Sequence, residues 1–341
     1  MKTYFLIVTI YLACAGLNTV QAQTSVDTAG KRPRQFAAAQ SKLSDYAKNH
    51  RNTNVQGRSK LDEVYILGLE INADNVNTVR SLLASNVSFD EKVALTRLLA
   101  SLYSPQGSKD LNNAILTDLR SLISTAHVEL AREATYAYSR LGYFPDSIDI
   151  LTRAKNAGYF ADRDFYGELA HLLPYAPVEA QNDIIGRIAS GRDSYAADIL
   201  ALNLSNPEQL TRLPVGTMGR ILSFLTATEP RLTPATGAFD MIEGLRFTYW
   251  LHAVATLSDK TGKARYIDVV NNVLLNPTTD PRKSMLFFLN TEGQLVLTQY
   301  GGKPYEPLLP IMARYSAQHP SNQIMRDTVV EVTAKIKAAQ R

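Results

Sequence analysis

From Arg34 onward the chain sets apolar residues three and four positions apart, with short Gly- and Pro-containing breaks and little period-two alternation of β-branched residues. That spacing predicts helices almost throughout. Ser88-Phe89-Asp90-Glu91 has the form of a capping box, with Ser88 placed to satisfy an early amide and Glu91 to reach back. Behind it Leu95, Leu98, Leu99 and Leu102 make one apolar stripe. After a turn at 104–107, Leu111, Ile115, Leu119 and Leu122 make the next, so the two helices are expected as an antiparallel pair.

A second pair follows. Val128, Ala131, Ala134, Tyr138 and Leu141 line its first helix, and Gly142 stands where a left-handed cap excludes a side chain. Pro145 suits the first turn of the partner helix, which carries Ile148, Leu151 and Ala154 and closes at Gly158. A third pair starts near Asp162 with Phe165, Leu169 and Leu172, breaks at 174–177 and continues through Ile184, Ile185 and Ile188. Setting Ala94 and Leu98 over Ala134 and Tyr138 gives a repeat of about 40 residues, within the range of helical-hairpin repeats.

Between 206 and 234 the predicted helices shorten and Pro, Gly and Thr become frequent. A hinge or loop is expected at 228–237, separating a helical-repeat region at 34–227 from a C-terminal helical region at 238–341. In that second region helices are predicted at 239–257, which holds Trp250, the sole tryptophan, and at 264–275, 282–300, 307–318 and 321–339. The last has Lys335, Lys337 and Arg341 near its negative end and is expected to cap the stack.

Arg132-Glu133-Ala134, with Leu141-Gly142 and the Ile148 to Leu151 stripe, resembles a short, Ala-rich HEAT-like repeat. The resemblance covers 127–157, and 88–123 more loosely. Tyr136, Tyr138 and Tyr143 are larger than the residues usual there and keep a tetratricopeptide-like repeat open. What the resemblance implies is an all-α fold of stacked antiparallel helix pairs, an α-solenoid, serving as a protein-interaction scaffold. Such a unit cannot bury its apolar stripe alone and must stack on its neighbours.

The first 22 residues read as a secretory signal: Lys2 supplies positive charge, 5–17 is apolar, and Val20-Gln21-Ala22 places small residues for cleavage after Ala22. The apolar run is short for a membrane span and is followed by polar residues. Residues 23–33 are expected to form a flexible leader. The single cysteine, Cys14, falls inside the signal, so the mature chain is expected to lack disulfides, and export without disulfides points to a bacterial periplasm. The alternative is lipidation of Cys14, with membrane attachment only in that case; Tyr11 stands where the lipoprotein pattern wants an aliphatic residue.

Composition adds little beyond a sizeable core: 45% of the 341 residues are hydrophobic. The net charge of +4 is spread along the chain, and the one dense basic cluster, Lys31-Arg32-Pro33-Arg34, reads as a solvated linker, so no nucleic-acid partner is expected. The five histidines show no metal-ligand spacing and no His-Glu-x-x-His element. The acidic run from Asp162 to Glu168 places Tyr166 and Leu173 where a calcium loop needs oxygen ligands. Lys260-Thr261-Gly262-Lys263 lacks the earlier glycine of a phosphate loop, Leu257 standing there. No catalytic residue, metal or cofactor is therefore expected.

Among 17 tyrosines, six gather between 136 and 175. Tyrosine offers large area and a polar tip at low entropic cost. Tyr136, Tyr143, Tyr159 and Tyr166 are the candidate partner-binding residues, with Arg140 and Arg163 as polar anchors; the alternative is that they fill space between helices. The expected function is a non-enzymatic exported protein that binds another protein as a scaffold or as an inhibitor of the immunity type. The alternatives are a periplasmic enzyme acting on cell-wall material and an envelope lipoprotein.

Overall fold

The computed structural model describes residues 31–49, 57–232 and 241–340. The signal segment, Cys14, the leader as far as residue 30 and residues 233–237 of the expected hinge lie outside the described residues. Within them the protein is all-helical: 18 α-helices and two short 3-10 turns, with no strand. Packing divides the chain into two compact units, the first ending at Glu168 and the second beginning at Leu169.

The helices of the first unit are α1 (Lys31–Asn49), α2 (Gly57–Leu67), α3 (Ala73–Ala84), α4 (Phe89–Ser101), α5 (Lys109–Ile123), α6 (Val128–Arg140), α7 (Ser147–Asn156) and most of α8 (Asp162–Leu172). Helix α1 begins at Lys31, inside the stretch expected as leader. Helices α2, α4 and α6 pack in succession, as do α1, α3 and α5, and neighbouring members of the two rows pack on each other. One continuous core runs through them, from Leu43 and Leu61 through Val79, Leu95 and Leu98 to Ile115 and Tyr138. Of the predicted stripe on α6, Ala131, Ala134 and Tyr138 are buried, whereas Val128 at the first helical position is 48% exposed.

The predicted capping box forms. Glu91 accepts from the Ser88 amide at 2.8 Å and the Ser88 Oγ accepts from the Glu91 amide. The same buried carboxylate accepts from the Tyr46 hydroxyl at 2.8 Å, so a local cap also ties α4 to α1. At the end of α7, Gly158 adopts φ +75°, and the Gly158 and Tyr159 amides donate back to Lys155 and Ala154, each at 2.9 Å. A side chain at that left-handed position would be strained.

Arginine–carboxylate pairs tie each helix to the next member of its own row. Arg80 on α3 grips Asp118 on α5, and Arg97 on α4 grips Glu133 on α6 at 2.7 and 2.9 Å. Arg120 on α5 grips Asp146 at the start of α7. Arg140 on α6 reaches Glu168 on α8 at 3.1 Å. Each partner lies 26 to 38 residues ahead in sequence. The pairs made by Arg80, Arg97 and Arg120 are part-exposed, and pairs of that kind contribute up to about 1 kcal/mol each, so they fix register more than they stabilise; the Arg140–Glu168 pair is buried.

The second unit contains α9 (Val178–Gly191), α10 (Ser194–Leu204), α11 (Pro207–Thr211), α12 (Val215–Ala227), α13 (Met241–Lys260), α14 (Tyr266–Leu274), α15 (Pro281–Leu289), α16 (Thr291–Tyr300), α17 (Leu308–Gln318) and α18 (Gln323–Ala338). Its organisation is different: α13 is a hub that packs on α10, α12, α14 and α15, and α15 in turn carries α16, α17 and α18. Trp250, Leu251, Ala253, Val254, Ala255 and Leu257 are all buried, so α13 is covered over most of its circumference instead of along one stripe. The Trp250 indole donates to the Leu225 carbonyl at 2.7 Å and Arg246 pairs with Asp198 at 2.7 Å.

The single helix expected at 282–300 is two helices. Asn290 is extended (φ −89°, ψ 163°), and its side-chain amide donates to the Leu286 carbonyl at 2.7 Å and to Thr248 at 3.1 Å. An Asn side chain that hydrogen-bonds nearby backbone offers the chain an alternative to the helix, which the apolar spacing alone does not reveal.

Candidate functional site

The six candidate residues occupy the segment from α6 to α8. Tyr136 is half-buried on α6, its ring 4.6 Å from that of Phe160, and the Arg140 guanidinium lies 5.3 Å from its ring centre. The Tyr136 hydroxyl is held well above its ordinary pKa, first by burial and then by the charge and hydrogen bond of Asp164. Arg140 also meets Glu168, which is buried and accepts from Ser139 Oγ. Tyr136 and Arg140 are thereby locked together against α8.

Tyr166 is half-buried, with the Lys155 ammonium 4.9 Å from its ring centre and 2.8 Å from Asp162. Tyr143 and Tyr159 are half-buried in the turns after α6 and α7, and Arg163 is exposed on α8. Tyr138, by contrast, is fully buried, donating to Asp146 at 2.6 Å and accepting from Arg120 at 2.6 Å. The tyrosine-rich stretch thus contains both kinds of residue: a core tyrosine that closes a polar bridge and half-buried ones with a solvent-facing part.

A second polar cluster has no counterpart in the sequence reading. His252 on α13, Tyr266 on α14 and Glu292 on α16 converge: the histidine Nδ1 lies 3.2 Å from the Tyr266 hydroxyl and 3.3 Å from the Glu292 carboxylate. These residues are 14 and 40 positions from His252, in no motif, and nothing in the linear spacing announces them. Among the described residues no group of three or more His, Cys, Asp or Glu side chains is placed to hold a metal ion. None of the described helices is long and apolar enough to cross a membrane.

Burial lowers the His252 pKa, and the Glu292 carboxylate opposes that shift without cancelling it. A histidine depressed in the folded state binds its proton more readily once unfolded. The folded protein is therefore expected to lose stability as pH falls from about 6.5 through the lowered value, and His252→Gln to remove that part of the slope. Urea midpoints at pH 7.5 and 5.5 for the two proteins check this; equal slopes would place the proton uptake elsewhere.

No family model matches the chain, and neither a curated protein nor a solved structure does.

Proposed function

We propose that this is an exported, non-enzymatic helical-repeat protein whose first unit is a short α-solenoid that binds another protein. The supporting observation is the succession of α2, α4 and α6 beside that of α1, α3 and α5, each succession tied along its own length by a fork to a partner 36 or 38 residues ahead, from Arg97 and from Arg80. Serial stacking of hairpins produces extended surfaces suited to macromolecular partners. The binding face is the α6–α8 segment, where Tyr136 and Tyr166 offer ring area and Arg140 and Arg163 offer charge. The binding serves either a scaffold role or an inhibitor role of the immunity type.

The test is recovery of a partner from the native host with the tagged full-length protein. One stoichiometric protein is expected, and Tyr166→Ala with Arg163→Ala is expected to reduce its recovery at least about tenfold while the far-UV circular dichroism stays that of the folded protein, since hot-spot truncations typically cost 2 kcal/mol or more. Full recovery by the double variant would remove this face from the proposal. Retention of glycan or peptide fragments without a protein would favour the enzymatic reading, for which His252 beside Glu292 supplies the acid–base pair.

A further inference from the structure

Helices α9 and α12 pack against each other in the second unit and enclose an open groove of about 840 Å³. That volume lies within the range of small-molecule sites. Ile185, Ala189, Phe224 and Ala227 supply an apolar floor. Gly186, Gly216 and Gly219 leave open space where other residues would project a Cβ, so the floor is low along its length.

The charge in the groove is of one sign. Arg192, Arg220 and Lys263 line it, no carboxylate does, and none of the three makes an ion pair among the described residues. Gly216 also brings in the start of α12, whose N-cap is Pro214 and provides no side-chain acceptor, so early amides of that helix remain available to an anion. Arg192 is the one non-glycine residue at positive φ among the described residues (φ 51°, ψ 30°). An arginine there is strained relative to glycine, and its position on the groove gives the strained residue a use.

The remaining polar groups narrow the choice of ligand. Ser223 donates to the Gly219 carbonyl at 3.0 Å and Thr228 to the Phe224 carbonyl at 2.8 Å, so both hydroxyl protons are committed to their own helix. An extended peptide would bring a row of backbone N–H groups for which the Ser223 and Thr228 hydroxyl oxygens are the side-chain acceptors among the lining residues. A single unbranched aliphatic chain needs none. We propose that the α9–α12 groove binds a single-chain anionic amphiphile, its carboxylate or phosphate head among Arg192, Arg220 and Lys263 and its tail along the Ile185–Phe224 floor. This reading is independent of the protein-binding face.

Calorimetric titration of the full-length protein with dodecyl phosphate, below its micelle concentration, tests it. One saturable site is expected. Arg192→Gln with Arg220→Gln, both exposed positions, should weaken it at least about tenfold, as loss of charge-assisted hydrogen bonds would. Gly219→Leu, which fills the floor, should abolish it while circular dichroism stays unchanged. Equal affinity for dodecyltrimethylammonium would overturn the proposal, since the cations would then not be read. Equal affinity for inorganic phosphate would overturn it as well, since the floor would play no part. Binding of hexaglutamate without binding of dodecyl phosphate would replace it with a peptide surface. Unchanged binding by the double arginine variant would place the ligand elsewhere.

Discussion

Gly302→Ala is expected to destabilise the protein by about 3 kcal/mol or more, a large loss for one methyl group. The Gly302 amide donates to the Ala339 carbonyl at 2.6 Å, bringing the chain against the end of α18. A Cβ at Gly302 would sit 1.9 Å from the Ile336 carbonyl oxygen and 2.9 Å from its carbon. Both are backbone atoms of a helix, so no rotamer change can relieve the overlap; either α18 shifts or the 3-10 turn at Lys303–Tyr305 does. Fully buried Tyr305 and Ile336 would lose packing together. Gly186→Ala is the matched control: it lies inside α9 with nothing within 4 Å of its added methyl, and alanine should there stabilise by roughly 0.5–1 kcal/mol. Urea unfolding of the two variants should shift in opposite directions. A Gly302→Ala midpoint equal to wild type would mean that the contact with α18 is not made in solution.

Glu168→Ala is expected to cost about 3 kcal/mol, the low end for breaking a buried ion pair from one side. The Glu168 side chain is only 3% exposed, and its carboxylate takes both the Ser139 hydroxyl and the Arg140 guanidinium, which is itself 20% exposed. Removing it takes the carboxylate from a largely desolvated guanidinium and leaves the Ser139 hydroxyl only the Tyr136 carbonyl as acceptor. Removing Arg140 as well should recover part of the loss, because the buried guanidinium that lost its carboxylate is then gone too; the coupling is read from a double-mutant cycle. A loss below about 1 kcal/mol would put the pair in the class of exposed surface bridges. This pair also anchors the arginine that lies over Tyr136, so Glu168→Ala should disturb the proposed partner face indirectly, whereas the Tyr166 and Arg163 substitutions act on a half-buried ring and an exposed guanidinium of that face.

Neither the His252 cluster nor the α9–α12 groove could be read from the chain. The groove draws on 185–192, 216–228 and Lys263, whose residues one by one are an isoleucine, a phenylalanine, three arginine or lysine side chains and several small residues of no motif. Only the packing of α9 on α12 makes their signs and shapes add up. The candidate tyrosines were legible as a local excess, but composition cannot distinguish Tyr138, sealed in the core by Arg120 and Asp146, from half-buried Tyr136 two residues earlier. Two residues on a helix are about 200° apart, so which of the two faces inward depends on where the next helix lies.

What the sequence by itself determined is local: helicity through most of the described residues, the Ser88–Glu91 cap, the close of α7 at Gly158, and stripes such as Leu95, Leu98 and Leu99, all fully buried. Those features need only neighbours within about one turn, which the linear order supplies. The tertiary structure alone decided which stripes meet, that α13 is covered on most sides, that Asn290 splits a continuous apolar pattern into two helices, and which carboxylate each arginine takes. Those outcomes join residues tens of positions apart, where helix crossing and side-chain volume set the distance and periodicity carries no information.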